Sequence, residues 1–429
     1  MSEFNKLERT FARALERSPR LRTAIKEFYK RLVYLRFNEP GFQYELNPNA
    51  SLLPPQEWAG LPQAKGEWFF GYYDKSPWSS DMNRALFHRP NGGKVAIIVL
   101  QRESKNASVI GDSDTWNWQQ GSMAQWLPGS TEPRVVFNTT ENGILGCRLV
   151  ALEKGFNRFI PWPIQTLHPA GHEALTLNYR RLDRLRPDYG YSMKVKNFSF
   201  RQGLDEDGIW LVDLDEGTGT LVIPISDLAC HKPIPEMKGA QHKVNHLIYS
   251  PSGAKFVFLY RFIGDKGKFS RLCVAKPDGS NLRLLMDARM VSHYHWRDNN
   301  HLLVWGRTRE KGDHYYLVDV NNGTTEIIGE GVLDRYGDGH CSFSPDGRWI
   351  VTDTYPDRAR QQRLLLFDIL KEKYVTVGRF FSPWEFLDSR RCDLHPRWSP
   401  DGQWISIDSA HEGIRRTYFV DVSKIVRGD

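Results

Sequence analysis

The chain has 429 residues, including 35 Gly and 24 Pro, with 13 % aromatic and 25 % charged residues; this turn-rich, aromatic composition excludes a disordered or collagen-like chain. The formal net charge is +7, but residues 1–37 hold ten Lys/Arg against four Asp/Glu and so carry +6 of it. The basic character belongs to a tail, and the body of the chain lacks the footprint of a nucleic-acid binder.

The first 40 residues read as a basic amphipathic helical segment: Leu7, Phe11 and Leu15, then after Ser18-Pro19, Ile25, Phe28, Tyr29, Leu32 and Val33 recur at helical spacing. Such a helix can lie on an anionic membrane surface, dock on a protein partner, or pack on its own domain. The segment is charged throughout, and no apolar run in the chain reaches the ~18 residues of a membrane span, so neither a secretory signal nor a span is expected. Cys147, Cys230, Cys273, Cys341 and Cys392 are odd in number, scattered and free of C-x-x-C spacing. They read as reduced thiols of a cytoplasmic protein, membrane-associated if the helix binds lipid.

Residues 41–429 read as one all-β domain. Its clearest phrase occurs three times: Ser250-Pro251-Ser252-Gly253, Ser344-Pro345-Asp346-Gly347 and Ser399-Pro400-Asp401-Gly402, each after an aromatic residue and before a strand. Pro presets one turn dihedral and Gly supplies a positive one, so each phrase predicts a hairpin turn. Weaker copies are Lys75-Ser76-Pro77, Trp126-Leu127-Pro128-Gly129, Leu167-His168-Pro169-Ala170-Gly171 and Trp296-Arg297-Asp298-Asn299, which makes seven units. A charged insertion around residues 180–203 lengthens one interval, and a second hairpin lies between successive turns. Four strands per unit at this period predict a seven-bladed β-propeller with a short N-terminal helical segment. The last unit runs out of chain after Tyr418–Val422, so a strand within residues 41–53 is expected to close the ring and remove an exposed edge.

In a propeller, residues that open the first strand and close the second strand of each blade meet on one face, around the axis. Three residues before the leading aromatic, the last four blades carry His246, His293, His340 and His395, where the earlier ones carry Tyr72, Met123 and Ile164. His242, His295, Asp338, Cys392, Asp393 and Arg397 accompany them. The closing ends of the second strands add Arg89, Tyr179-Arg180, Tyr260-Arg261, Arg307, Tyr355, Arg358, His411 and Arg415. Guanidinium groups facing a histidine cluster suit an anionic ligand, and Trp116, Trp118, Trp162 and Trp384 could stack on sugar rings. Imidazoles with a thiolate or carboxylate also suit Zn or Mn, with His340, Cys392 and His395 as the best trio. At a strand opening, a histidine that only bonds between blades is the alternative. No nucleophile elbow, Walker loop, H-E-x-x-H or dinucleotide fingerprint occurs.

With the runs Asp338-Gly339-His340-Cys341-Ser342-Phe343-Ser344-Pro345-Asp346-Gly347 and Cys392-Asp393-Leu394-His395-Pro396-Arg397-Trp398-Ser399-Pro400-Asp401-Gly402, the chain resembles the oligogalacturonate lyase-like propellers, which share the TolB-type repeat. The resemblance covers roughly residues 66–422. It implies a cytoplasmic lyase on uronic-acid oligosaccharides with a divalent metal, typically Mn. By position it implies His340 as a metal ligand, His293 as the proton-removing base and Arg261 as its assistant. The family's Gln-x-x-His-x-His run becomes Cys392, His395 and Arg397 here, so one imidazole is replaced by a cation that could bind a substrate carboxylate directly.

The sequence-level expectation is therefore a polysaccharide or oligosaccharide lyase acting by β-elimination on an acidic glycan. His293, Arg261, Tyr260 and Tyr179 are the expected catalytic residues. Arg397, His246, His242, Arg89, Arg180 and Arg307 are expected to bind substrate, and His340, His395 and Cys392 to hold the metal. A hydrolase using Asp338 and Asp393 is a lesser alternative. The rival of another class is a noncatalytic glycan- or protein-binding propeller in a surface-polysaccharide biosynthesis assembly, since this fold hosts both kinds of function.

Overall fold

In the computed structural model, which describes residues 29–62, 65–191 and 203–428, the turn phrases are built around their serines. Ser344 Oγ donates to Asp346 at 2.5 Å and accepts the Trp349 N–H at 2.9 Å, and Ser399 does the same with Asp401 and Trp404. Gly347 and Gly402 close these turns at φ of +72° and +68°, a region that costs a side-chain-bearing residue.

Each turn joins the inner two strands of an antiparallel sheet, and seven such sheets form a seven-bladed β-propeller. Blades two to five each use four consecutive strands, beginning at Gln125–Trp126, Thr166–Leu167, Gln241–Tyr249 and Val291–Trp296. Blade six runs from Ser342–Phe343 through Lys373–Phe381 and gains Tyr44–Leu46 as a fifth, outer strand. Blade seven contains Arg397–Trp398, Trp404–Ser409 and Arg416–Asp421; its fourth strand is Ser51–Leu53, with Ser51 opposite Asp421 and Leu53 opposite Phe419. The seams between blades are apolar. Val257, Leu259 and Val274 of blade four pack with Tyr294, Trp296, Val304 and Val318 of blade five, so both faces of the inner strands are buried.

Blade one departs from the expected register. Its turn is not Lys75-Ser76-Pro77 but Ser79–Asn83, where Ser79 Oγ donates to Asp81 and accepts the Arg84 N–H. Its innermost strand is reduced to two isolated bridges, Phe69 with His88 and Trp78 with Ala85. The residues between those bridges leave the blade as a loop, and this loop shapes the site described below.

Residues 29–37 are helical. Tyr34 packs edge-on to Trp384 with ring centroids 5.6 Å apart, which seats the helix on blade six, while Leu32 and Leu35 are exposed. The apolar positions expected at Leu7, Phe11, Leu15, Ile25 and Phe28 lie outside the described residues. No helix among the described residues is long and apolar enough to cross a membrane. All five cysteines are unpaired.

Candidate active site

Two backbone devices bring side chains to the axis. First, the innermost strands bulge at the predicted positions: pairing slips between Asn245 and Ile248 in blade four and between Val291 and Tyr294 in blade five. His246 and His395 take positive φ of +58° and +45°, a conformation sparsely populated by non-glycine residues and common where a side chain must be re-aimed. Second, the blade-one loop fills the centre. The Tyr72 ring lies 5.2, 6.5, 5.8 and 4.9 Å from the rings of His246, His293, His340 and His395. One phenol therefore touches imidazoles from four blades.

The histidines also touch each other. His340 is 4.2 Å from His293 and 4.3 Å from His395, centroid to centroid, and all four are 5 % exposed or less. His293 shares its Nδ1 with Asp338 at 2.8 Å, an arrangement that orients the ring and leaves Nε2 for chemistry. Burial holds His293 below its ordinary pKa despite Asp338, so it is neutral near pH 7. Burial also disfavours the charge of His340, but Asp353, at 2.9 and 3.0 Å from its Nδ1, more than offsets this and raises its pKa. His395 directs Nδ1 at the Gly71 carbonyl, 2.9 Å away.

These contacts use the Nδ1 atoms and leave the others orphaned. His340 Nε2, His395 Nε2 and Asp393 Oδ1 are buried without a hydrogen-bond partner, and His340, Asp393 and His395 bring ligand atoms within 4.8 Å of one another. Buried polar atoms are almost always satisfied. Two imidazoles and a carboxylate, with a carboxylate and a carbonyl bracing the imidazoles from behind, fit a divalent cation. Cys392 does not belong to this group: burial raises its thiol to about 12, and it packs with Phe386 and Ala410. The third ligand position falls to Asp393, whose Oδ2 is held by Arg391 at 2.5 Å.

Arg261 stands beside the ring, buried, with Nε on Ser270 Oγ at 2.9 Å and a terminal nitrogen 3.4 Å from the Val291 carbonyl. No salt bridge to it occurs among the described residues. Tyr355 packs edge-on to His340 at 5.8 Å, and Asp338 and Tyr355 are the more exposed members of the group.

Other expected site residues are engaged elsewhere. Arg397 is 2 % exposed and engaged within the protein: it donates to the carbonyls of Gly71 and Tyr72, to Ser406 Oγ and to Asp408. It clamps the blade-one loop with four of its five N–H donors spent on the protein, so it is not positioned to fork a substrate carboxylate. Tyr179 is locked in the core, its hydroxyl donating to the Ile164 carbonyl at 2.7 Å. Tyr260 and His242 bond one another at 2.6 Å, and neither makes a ring contact with the four histidines. Arg89 lies over Trp68, Arg180 is exposed on the helix Tyr179–Leu185, and Arg307 forms a surface pair with Asp313. Of the tryptophans, Trp116 and Trp118 pack on each other and on Phe69, Trp162 on Trp210, and Trp384 on Tyr34. Sequence reasoning passed over Asp353, although its place at the end of a second strand was a usable signal. It also gave Tyr72 no role.

Comparison with solved structures places this architecture. The chain superposes on an oligogalacturonate lyase from Vibrio parahaemolyticus with a TM-score of 0.60 at 14 % identity, covering 90 % of this chain and 96 % of that one. In fold, it resembles the oligogalacturonate lyases. A second oligogalacturonate lyase, solved in complex with manganese, matches with a TM-score of 0.60 at 15 % identity over 84 % of this chain and 91 % of that one. A puromycin-hydrolysing peptidase from Mycobacterium tuberculosis reaches 0.50 at 12 % identity over 84 % of this chain and 55 % of that one. No family model and no curated protein matches the sequence.

Proposed function

We propose that this chain is a lyase that cleaves a uronic-acid-containing oligosaccharide or polysaccharide by β-elimination. The observation that carries the reading is the convergence of three orphaned ligand atoms, on His340, Asp393 and His395, beside the His293–Asp338 pair. The manganese-bound lyase of the same fold supports it.

A proton alpha to a carboxylate is poorly acidic, so the site must offset the carboxylate's charge while a base of near-neutral pKa removes that proton. When bound by His340, Asp393 and His395, a divalent cation such as Mn or Zn supplies that offset. Neutral His293 takes the proton at Nε2, and Asp338 stabilises the imidazolium that forms. The C–H electron pair becomes the new C=C bond, and the C–O bond to the leaving sugar breaks. Tyr72 replaces Tyr179 and Tyr260 as the acid: burial and the Tyr189 phenol hold its pKa well above 10, so its proton is retained until the leaving oxygen needs it. Arg261 adds positive charge beside the reacting group. We place the reaction in the cytoplasm, where unpaired thiols persist.

The test is incubation of the full chain with a panel of acidic glycans, with and without chelator, followed by ultraviolet absorbance of the unsaturated uronate. Product that disappears with chelator and in His293→Ala is expected. The near-complete burial of the histidines behind Tyr72 favours one other reading, a propeller that binds a glycan without turnover. That reading replaces ours if glycans bind, no panel member gives product, and His293→Ala binds as the wild type does.

A further inference from the structure

The helix of residues 29–37 has two faces, and the propeller uses one of them. Tyr34 packs on Phe381 at 6.4 Å and edge-on to Trp384 at 5.6 Å, while Arg31 lies over Trp384 at 5.8 Å and Arg358 over Phe37 at 5.7 Å. At 3.6 residues per turn, Tyr29, Leu32 and Arg36 fall about 140–160° round the helix from Tyr34, and Leu35 about 100°. These side chains are exposed, Leu35 at 69 %, Leu32 at 49 % and Tyr29 at 40 %. A helix that served its own domain alone would turn polar residues outward. This one turns out two leucines.

Charge selects what that face meets. Residues 29–37 carry Lys30, Arg31 and Arg36, all exposed, and no Asp or Glu. Residues 1–28, which lead into the helix, add seven Lys/Arg against four Asp/Glu, and this leaves only +1 for the rest of the chain. A second copy seated here by a twofold axis would set these three cations against the same three. An ordinary protein interface takes about 800 Å² from each partner, more than a stripe ~13 Å long supplies. An anionic lipid surface imposes neither condition. It admits leucines at the headgroup–acyl boundary without a matching shape, and it attracts each Lys and Arg.

We propose that residues 29–37 dock the propeller on an anionic lipid surface, with Leu32 and Leu35 in the headgroup–acyl boundary and Lys30, Arg31 and Arg36 among the phosphates. Arg358 lies in the loop between the strands Trp349–Asp353 and Gln361–Asp368, as does Tyr355, which packs on His340. The lipid contact is therefore on the same face of the propeller as the histidine ring. Docking itself needs no part of the elimination chemistry.

Flotation of the full chain with lipid vesicles tests this contact. The wild type should float with phosphatidylglycerol/phosphatidylcholine vesicles at ~0.1 M salt, stay behind with phosphatidylcholine alone, and be released at ~0.5 M salt, where screening shortens the reach of the charges. Leu32→Glu/Leu35→Glu and Lys30→Ala/Arg36→Ala should each weaken binding to the anionic vesicles about tenfold or more. Both should keep the wild-type circular dichroism and melting midpoint, because the side chains they change are exposed. A wild type that floats equally with both lipids or with neither would overturn the proposal. So would a Leu32→Glu/Leu35→Glu variant that floats as the wild type does. Sedimentation velocity gives a further check: a wild-type dimer that this variant breaks would assign the face to a second copy and overturn the lipid contact.

Discussion

Asp353 holds His340 twice: one carboxylate oxygen accepts the backbone N–H of His340 at 2.8 Å and also faces its ring Nδ1 at 2.9 Å. The other oxygen accepts the N–H of His395 at 3.0 Å. One buried carboxylate thereby fixes backbone and ring of one proposed ligand and the backbone of another.

Asp353→Asn keeps the size of that side chain but removes its charge and half of its acceptor capacity. Second-sphere carboxylates of this kind are worth about 10–100-fold in metal affinity. Titration calorimetry with Mn should show a loss in that range, with the propeller's circular dichroism unchanged. An affinity equal to the wild type would separate Asp353 from the metal.

His293→Gln and Asp338→Asn address the base. The first removes the proton acceptor and should lower kcat by about 10²–10⁴-fold with little change in KM, the range of general-base catalysis. The second leaves the imidazole but releases its orientation, and a smaller loss is expected. If both variants turn over as the wild type does, the proton leaves by another route.

Tyr72→Phe keeps the ring that packs against the four imidazoles and deletes only the phenol. The expected outcome is a fall in kcat with a leaving-group dependence: a substrate with a good leaving group, which needs no protonation, should recover most of the rate. Equal losses on good and poor leaving groups would remove Tyr72 as the acid.

His88 sets an acid limit on stability. Its Nδ1 bonds the Phe70 carbonyl at 2.8 Å and its Nε2 accepts the Ser122 N–H at 3.0 Å, so only the neutral ring fits. Burial lowers its pKa to about 4. The unfolded chain titrates near 6.5 and binds the extra proton first. Stability is therefore complete above pH ~6.5 and is lost as pH falls toward ~4, by at most about 3 kcal/mol from this group. Urea unfolding across that range should show the slope, and His88→Gln should flatten it. A pH-independent midpoint would contradict the assignment.

The fold was legible because the Ser-Pro-Asp-Gly turn is a local device: its serine, aspartate and glycine satisfy one another within six residues, so the sequence pattern is the structure. The meeting of His246, His293, His340 and His395 was legible for the same reason, since one repeat position maps to one place on the axis. Arg397 was not. Two of its four partners, the carbonyls of Gly71 and Tyr72, lie in the loop between Phe69 and Trp78, more than 300 residues away, and only the departure of blade one from the pattern gives it that loop to clamp. The exchange of Cys392 for Asp393 has a similar cause. His395 adopts a positive φ, which breaks the strand alternation by which the neighbouring side chains would be assigned to the axis.

The paired clasp made by Tyr44–Leu46 in blade six and Ser51–Leu53 in blade seven has a consequence for biogenesis. Both strands leave the ribosome before the blades they complete, and their docking sites are made about 335 and about 370 residues later. At ~5–20 residues per second, the segment waits roughly twenty to seventy seconds with its edges unpaired. During that interval the nascent chain is an open arc, and the toroid locks only once the strand Arg416–Asp421 of blade seven has been made.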